Sequence, residues 1–520
     1  MRSWAAVYGL GVLLCVQAVS AQPIRPFEME AWSVPANGVD AHVTAALQKA
    51  GLVPARPCSD EVFIRRAYVD VIGTLPEPSD VRQFLDSRDP NKRAALIENL
   101  LQRPEFADYW TLKWGDILRV KAEFPINLWP NAVQAYHRWI HDAVRTNMPY
   151  DQFARALLTS SGSNFRVPPV NFYRAVQGRT PAALAEAVAL TFMGTRLATW
   201  PQERRADLAT FFSRVAYKST GEWKEEIVYL DLTQTTPLEV TFPDGKKATI
   251  PAGQDPRVAF ADWLIQPDNP WFARNIVNRI WAWLLGRGII HEPDDIRPDN
   301  PPANPELLAY LQQELIASHY DLRHIFRLIL NSRTYQQSSI PQSQGAQAEA
   351  LCAYYPVRRL DAEVLADALD WVGGTGQMYV SPIPEPFTYL PANHRAINIP
   401  DGSITSSFLV MQGRPPRDTG LESERTSQMT DAQRLYLLNS SDIQKRIARS
   451  PRLRAAVAAA GGDRARIIQN VYLLLLSRDP TSAELAAASA YWQTPGINPT
   501  DAVADLAWAL INSAEFLYRH

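Results

Sequence analysis

Apolar residues recur at helical spacing along most of this chain. In SDEVFIRRAYVDVIG, Val62, Ile64, Ala67, Tyr68, Val71 and Ile72 form one face, Ser59 stands at the N-cap, and Asp60 and Glu61 fill the first turn. Gly73 stops that helix, and LPEPSDVRQFLDS restarts at Ser79-Asp80. NKRAALIENLLQ, ADYWTLKWGDILRV, NAVQAYHRWIHDAVRT, YDQFARALLTS and TPAALAEAVALTFMG continue the pattern, which predicts a helical block over 22–225. The period then changes to alternation in EEIVYLDLTQTTPLEVTFPDGKKATIPAG, where Asp244-Gly245 reads as a turn. A small β-hairpin or sheet is expected at 226–252. Helical spacing resumes in PRVAFADWLIQ, FARNIVNRIWAWLLG, NPELLAYLQQELIAS and LRHIFRLILNSRTYQQ, giving a second helical block over 253–520 with a long irregular loop at 374–418. The expected fold is mainly α, a multi-helix assembly with a small β insertion.

Two local patterns refine this picture. YVDVIGTLPEPSDVRQFL near the start is similar to YLLLLSRDPTSAELAAAS near the end: an apolar helix, a Pro turn, then a capped acidic start. Similar closing helices follow, LIENLLQRPEFADYW and LAWALINSAEFLYRH, and LILNSRTYQQSS is a looser third copy. This predicts a recurrent helical hairpin whose aromatic residue (Phe106, Tyr335, Phe516) packs in a neighbouring groove. The second pattern is TFMGTRLATWPQERRADLATFFSRV, residues 191–215, read as two helical halves separated by a Trp-Pro break and a charged turn.

Composition adds class and compartment. Of 520 residues, 46% are hydrophobic and 20% charged, which suits a globular chain with a large core. Lys plus Arg (52) nearly balances Asp plus Glu (54), so the broad basic face of a nucleic-acid binder is not expected. The N-terminus carries Arg2, an apolar run from Ala5 to Val16, and Val19-Ser20-Ala21 before Gln22. That is the pattern of a secretory leader over 1–21, too short in its apolar part to span a bilayer; no later segment has spanning length. Export to a periplasmic or extracellular compartment is expected. Beyond the leader only Cys58 and Cys352 remain, either a disulfide or two buried thiols.

Several stretches together carry a family resemblance. FIRRAYVDVIGTLPEPSDVRQFL, ADYWTLKWGDILRV, LWPNAVQAYHRWIHDAV and PYDQFARALL resemble the first of the paired planctomycete cytochrome-c-associated domains of unknown function, numbered fifteen-forty-nine and fifteen-fifty-three. DPRVAFADWLIQPDNPWFARNIVNRIWAWLLGRGIIHEPDDI, RRLDAEVLADAL and GRPPRDTGLESERTSQMTDAQRLYLLN are similar to the second. The resemblance implies a haem or metal segment in many relatives, with Cys-x-x-Cys-His after the TFMGTRL-like helix and a further cysteine cluster near Gly420. This chain has Ala198 to Arg205 at the first place and Leu421 to Arg425 at the second, with no Cys-x-x-Cys-His anywhere. Covalent c-type haem needs both thiols and an axial histidine, so c-type electron transfer is disfavoured and a non-redox member is expected, with no cofactor. The resemblance also implies a sulfatase-like envelope protein as partner, and through it a complex or sulfated polysaccharide as ligand.

Four clusters remain as candidate chemistry. His137 and His141 share a helix face at i and i+4, a metal-ligand spacing that here lacks a third ligand; an aromatic helix face is the competing reading. Asp294, Asp295 and Asp299 lie in one Pro-rich loop, where calcium or helix capping would use them. Arg287 between Gly286 and Gly288 suits an anion or a helix C-terminus. GRPPRDTGLESER concentrates Arg414, Arg417, Arg425, Glu422 and Glu424 in an irregular segment. The two glutamates are the candidate catalytic carboxylates and the arginines the candidate binding groups; a buried Arg–Glu network pinning the loop is the alternative. Two functional readings follow. One is a non-haem binding or scaffold component of an envelope system. The other is a hydrolase or lyase acting on polysaccharide.

Overall fold

The computed structural model describes residues 25–426 and 428–520, so the leader read at 1–21 lies outside the described residues. The protein is 52% helical and 6% strand, with small antiparallel sheets. One continuous buried core runs from Val39 to Leu517 through both helical blocks. No helix among the described residues is long and apolar enough to cross a membrane.

The helix Asp60–Ile72 shows how the two ends of the chain meet. It is buried on nearly every side, Arg65, Arg66 and Asp70 included. Such burial is tolerable only where each charge finds partners. Arg65 Nη1 donates to the Leu475 carbonyl at 2.8 Å, and Arg66 donates to the carbonyls of Tyr335 (2.6 Å) and His520 (2.8 Å). Arg65 thus ties the helix to the last turn of the helix Arg464–Leu476, its counterpart in the internal repeat. Both end on a left-handed residue, Gly73 at φ 62° and Ser477 at φ 60°, before the second helices Pro78–Asp86 and Ser482–Trp492. The looser third copy, Leu322–Leu330, ends instead on a right-handed Asn331. Phe106, Tyr335 and Phe516 are all buried, as packing residues should be.

The strands depart from the predicted boundaries. Glu226–Leu230 pairs antiparallel with Val215–Ser219 on one edge and with the two-residue strand Gly162–Ser163 on the other. Val215 thus opens a strand and does not close a helix. The second half of 191–215 is helical only over Gln202–Thr210, and the first half ends in a wide turn at Ala189–Met193 capped by Gly194. Leu238–Thr241 and Lys247–Ile250 form a separate hairpin around the expected Asp244-Gly245 turn. A third pair joins Arg358–Arg359 to Tyr518–Arg519, with Arg358 opposite Arg519. Like charges placed opposite one another repel unless carboxylates sit between them. Those carboxylates lead to the site.

Candidate functional site

Three elements supply the centre. The helix Pro104–Ile117 turns Tyr109, Lys113 and Asp116 to one side, at i, i+4 and i+7. The helix Ala362–Gly373 begins after Asp361 and carries Glu363 in its first turn, where its amide dipoles favour negative charge. The short turn Glu422–Glu424 delivers Glu422 and Arg425 from the irregular loop.

In the wider network around these groups cations outnumber carboxylates, with Lys113, Arg358, Arg414, Arg417, Arg425 and Arg519 set against Asp70, Asp116, Asp361 and Glu363. Asp361 is shared by Lys113 (2.9 Å), Arg519 (2.9 Å) and Arg425 (3.4 Å). Arg425 also reaches Glu363 and Asp116, both at 2.8 Å. Glu363 is shared again with Arg414 (3.5 Å), Asp116 with Arg417 (3.0 Å), and Asp70 is shared by Arg358 (3.2 Å) and Arg519 (2.9 Å). Arg359 gives its N–H groups to the Gln412 carbonyl (2.6 Å) and side chain (3.2 Å) and the Thr426 carbonyl (3.4 Å), and has no carboxylate within ion-pair distance among the described residues. Each carboxylate is thus divided between two or more cations. Burial pushes Asp361 upward, but Lys113, Arg519 and Arg425 overwhelm it and hold the carboxyl well below its ordinary range. Glu363 is lowered in the same way by Arg425 and Arg414 against its burial.

The cluster opens onto a cleft of about 350 Å³ bounded by Lys113, Arg287, His291, Arg359, Glu422 and Arg425, among others. Arg287 follows Gly286, whose φ of 74° ends the helix Phe272–Leu285, so the expected helix terminus is present and Arg287 lines the cleft beside it. Its nearest carboxylate is Glu349, at 4.0 Å. Glu422 accepts the Trp283 indole N–H at 3.0 Å, and its backbone N–H donates to Asp294 at 2.6 Å. Burial raises the Glu422 carboxyl above its ordinary range, with Lys113 opposing and Asp294 adding to the rise. Burial and the neighbouring Arg425 lower Lys113.

The candidate residues therefore separate. Glu422, Arg287 and Arg425 line the cleft. Glu424 turns back to accept the backbone N–H (2.7 Å) and hydroxyl (2.5 Å) of Thr419. Arg414 donates to the Ile404 and Asp401 carbonyls, and Arg417 anchors on Asp116 and the Val120 carbonyl (3.3 Å). These last three pin the loop from behind. Lys113, Asp361, Glu363, Arg358, Arg359 and Arg519 were missed, although RRLDAE places four charges at the start of the helix Ala362–Gly373.

The other clusters close on themselves. Burial drives His137 down to about 3, while His141 Nε2 meets Asp108 at 3.0 Å. Asp294 is wholly buried against Arg279 at 2.6 Å, and Asp295 and Asp299 both face Arg297. No group of three or more His, Cys, Asp or Glu is placed to hold a metal among the described residues. Cys58 and Cys352 are buried free thiols, which settles their alternatives against a disulfide; burial pushes Cys352 up to about 12. The charged turn expected at 198–205 is instead a short helical turn at Leu197–Thr199 and, after Pro201, the start of the helix Gln202–Thr210, which carries Glu203, Arg204 and Arg205. Trp200 packs on Trp271 at 6.2 Å between ring centroids, and Arg204 lies 4.4 Å from the Trp200 ring. Ala198 and Leu421, from the two places where the resemblance puts cysteines in relatives, line one common pocket of about 310 Å³.

Residues 38–200 match the model of PSCyt2, Protein of unknown function (DUF1549), and residues 256–492 match PSD1, Protein of unknown function (DUF1553). The strands between Val215 and Ile250 fall between the two matches. No curated protein and no solved structure matches the chain.

Proposed function

Since the chain belongs to the proteins that pair PSCyt2 with PSD1, families whose description gives no reaction, we propose its function from the cleft: it binds a ligand bearing sulfate or carboxylate groups. A charged polysaccharide segment fits this chemistry best, and the setting is an exported envelope system with a sulfatase-like partner. The leader pattern supports export, and the family resemblance supports the partner. One observation carries the reading. Buried carboxylates are each shared between cations, and the surplus of positive charge opens at Arg287 and Arg359 into a cleft of ligand size.

Such a cleft favours an oxyanion for two reasons. Lys113, Arg358, Arg425 and Arg519 are held in place by Asp361, Glu363, Asp116 and Asp70, and Arg359 by Gln412 and the Thr426 carbonyl, so little ordering of these groups is left for the ligand to impose. Low-dielectric walls also strengthen the attraction relative to bulk water. The test is calorimetric titration with a sulfated oligosaccharide and its desulfated counterpart, at low and high salt. Binding of the sulfated form alone, weakened by salt, is expected. Equal binding of both, or none of either, would overturn the reading.

A hydrolase or lyase acting on the bound polysaccharide is the second reading, and Glu422 is the observation that favours it. A carboxyl raised by burial, facing a cleft it shares with His291, is suited to hold a proton for a leaving oxygen. Product release from the sulfated oligosaccharide that disappears in Glu422→Gln, with binding retained, is expected on this reading. No product from the wild-type protein would remove it.

A further inference from the structure

The pocket shared by Ala198 and Leu421 has a different character from the cationic cleft. Its wall is largely apolar, with Val176, Ala183, Ala187 and Leu190 among the lining groups, and at its base lies Arg119. Arg119 is only 5% exposed. Its Nε donates to the Thr419 carbonyl at 2.9 Å, and its Nη1 has no partner. A buried guanidinium N–H left without an acceptor is costly unless a ligand accepts from it.

The backbone is arranged to hold that group in place. Arg119 itself sits at φ 57°, a left-handed conformation uncommon for a side-chain-bearing residue. Gly420 passes so close that a Cβ there would stand 2.6 Å from the Ile117 carbonyl oxygen and 3.1 Å from Arg119 Cζ. Arg196 lines the same pocket with its Nε unpartnered and its nearest carboxylate, Glu292, at 3.9 Å. Of the acids nearby, Asp418 is engaged by Lys121 at 2.7 Å, Glu186 is exposed, and Glu424 accepts from Thr419 at Oε1 while its Oε2 has no partner; Glu186 and Glu424 attract the Arg119 guanidinium without a hydrogen bond to it. Burial brings Arg119 down to about 10, so it remains a cation at neutral pH.

We propose that this pocket is a second ligand site that takes a small monocarboxylate with an apolar body, its carboxylate on Arg119 and its body against Val176, Ala187 and Leu190. A free inorganic anion would satisfy the guanidinium but leave the apolar wall unused. An apolar molecule without a charge would bury the unspent N–H further. The volume stands at the lower end of ligand pockets, roughly 300–1,000 Å³, which sets the size as small.

The experiment titrates the full chain with octanoate, octanol and inorganic phosphate by calorimetry, and repeats it with Ala183→Phe. Ala183 is a partly exposed helix position on the pocket wall, so the variant narrows the pocket without touching the buried arginine. Octanoate binding at least about tenfold tighter than octanol, with phosphate weaker than both, is expected. Ala183→Phe abolishes octanoate binding and leaves the melting temperature unchanged, whereas Arg119→Met loses the preference for the carboxylate. Equal binding of octanoate and octanol, octanoate binding unchanged in Ala183→Phe, or no binding of octanoate would each overturn the proposal.

Discussion

The helix Ala362–Gly373 carries acidic groups at both ends, and the ends behave oppositely. At its start, Asp361 and Glu363 face Lys113, Arg414, Arg425 and Arg519 and are held below their ordinary range despite burial. Further along, burial raises Asp367 to about 7 and Asp370 to about 6. Asp367 has only Arg395, at 3.6 Å, and the backbone N–H groups of Ala396 (2.6 Å) and Ile397 (3.1 Å); Asp370 has Arg446. Both ends are buried, so burial is not what separates them. The number of cations per carboxylate is. Where cations are in excess the protein has a standing demand for negative charge, and where they are scarce it has a standing demand for protons. Only the first end opens onto a ligand-sized cleft.

Asp361→Asn attacks the comparison at its strongest point. It leaves Lys113, Arg519 and Arg425 buried with less compensation, and a loss of about 3–5 kcal/mol in denaturant unfolding is expected. A loss under about 1 kcal/mol would mean the cations are neutralised elsewhere. Arg287→Ala removes a half-buried cleft cation, so affinity for a sulfated ligand falls about tenfold while unfolding changes by less than about 0.5 kcal/mol. Unchanged affinity would place the ligand elsewhere.

Asp367→Asn tests the cation-poor end. Because its folded value of about 7 lies above the ordinary 3.8, Asp367 contributes stability that is fully present below about pH 4 and is lost as pH rises through about 7. The substitution removes this slope from stability measured over that range, at a cost near 1 kcal/mol. Asp361 has the opposite sign: its contribution is present above about 3.8 and is lost as pH falls below that value. The smallest effect is expected for Glu422→Gln, which removes a cleft carboxyl whose charged form repels an anion and tightens sulfated-ligand binding about threefold at a pH where that carboxyl is ionised. In the wild-type protein the same gain appears as pH falls and the Glu422 carboxyl, raised by its burial, takes up a proton. An affinity profile unchanged by the substitution would separate Glu422 from the ligand.

The helices and the Asp244-Gly245 hairpin were legible because their patterns are local. Period, caps and turn residues all lie within a few positions of one another. The strand Gly162–Ser163 was not legible, since two residues carry no alternation and pair only because Val228 meets them from far along the chain. Val215 reads as the end of an apolar helix until its partner Leu230 is known. The site was legible in part for the same reason. Glu422, Arg287 and Arg425 stood out in irregular, Gly- and charge-rich stretches. Asp70, Lys113 and Arg519 lay inside apolar patterns or at the chain end, and their charges acquire meaning only when three distant elements converge.

The most direct test of the cation-rich end is to place an anion in it. Crystals of the protein soaked in selenate would locate the ion by its anomalous signal. The account predicts the strongest peak in the cleft, within hydrogen-bond reach of Arg287. An empty cleft, with selenate bound elsewhere on the protein, would contradict it.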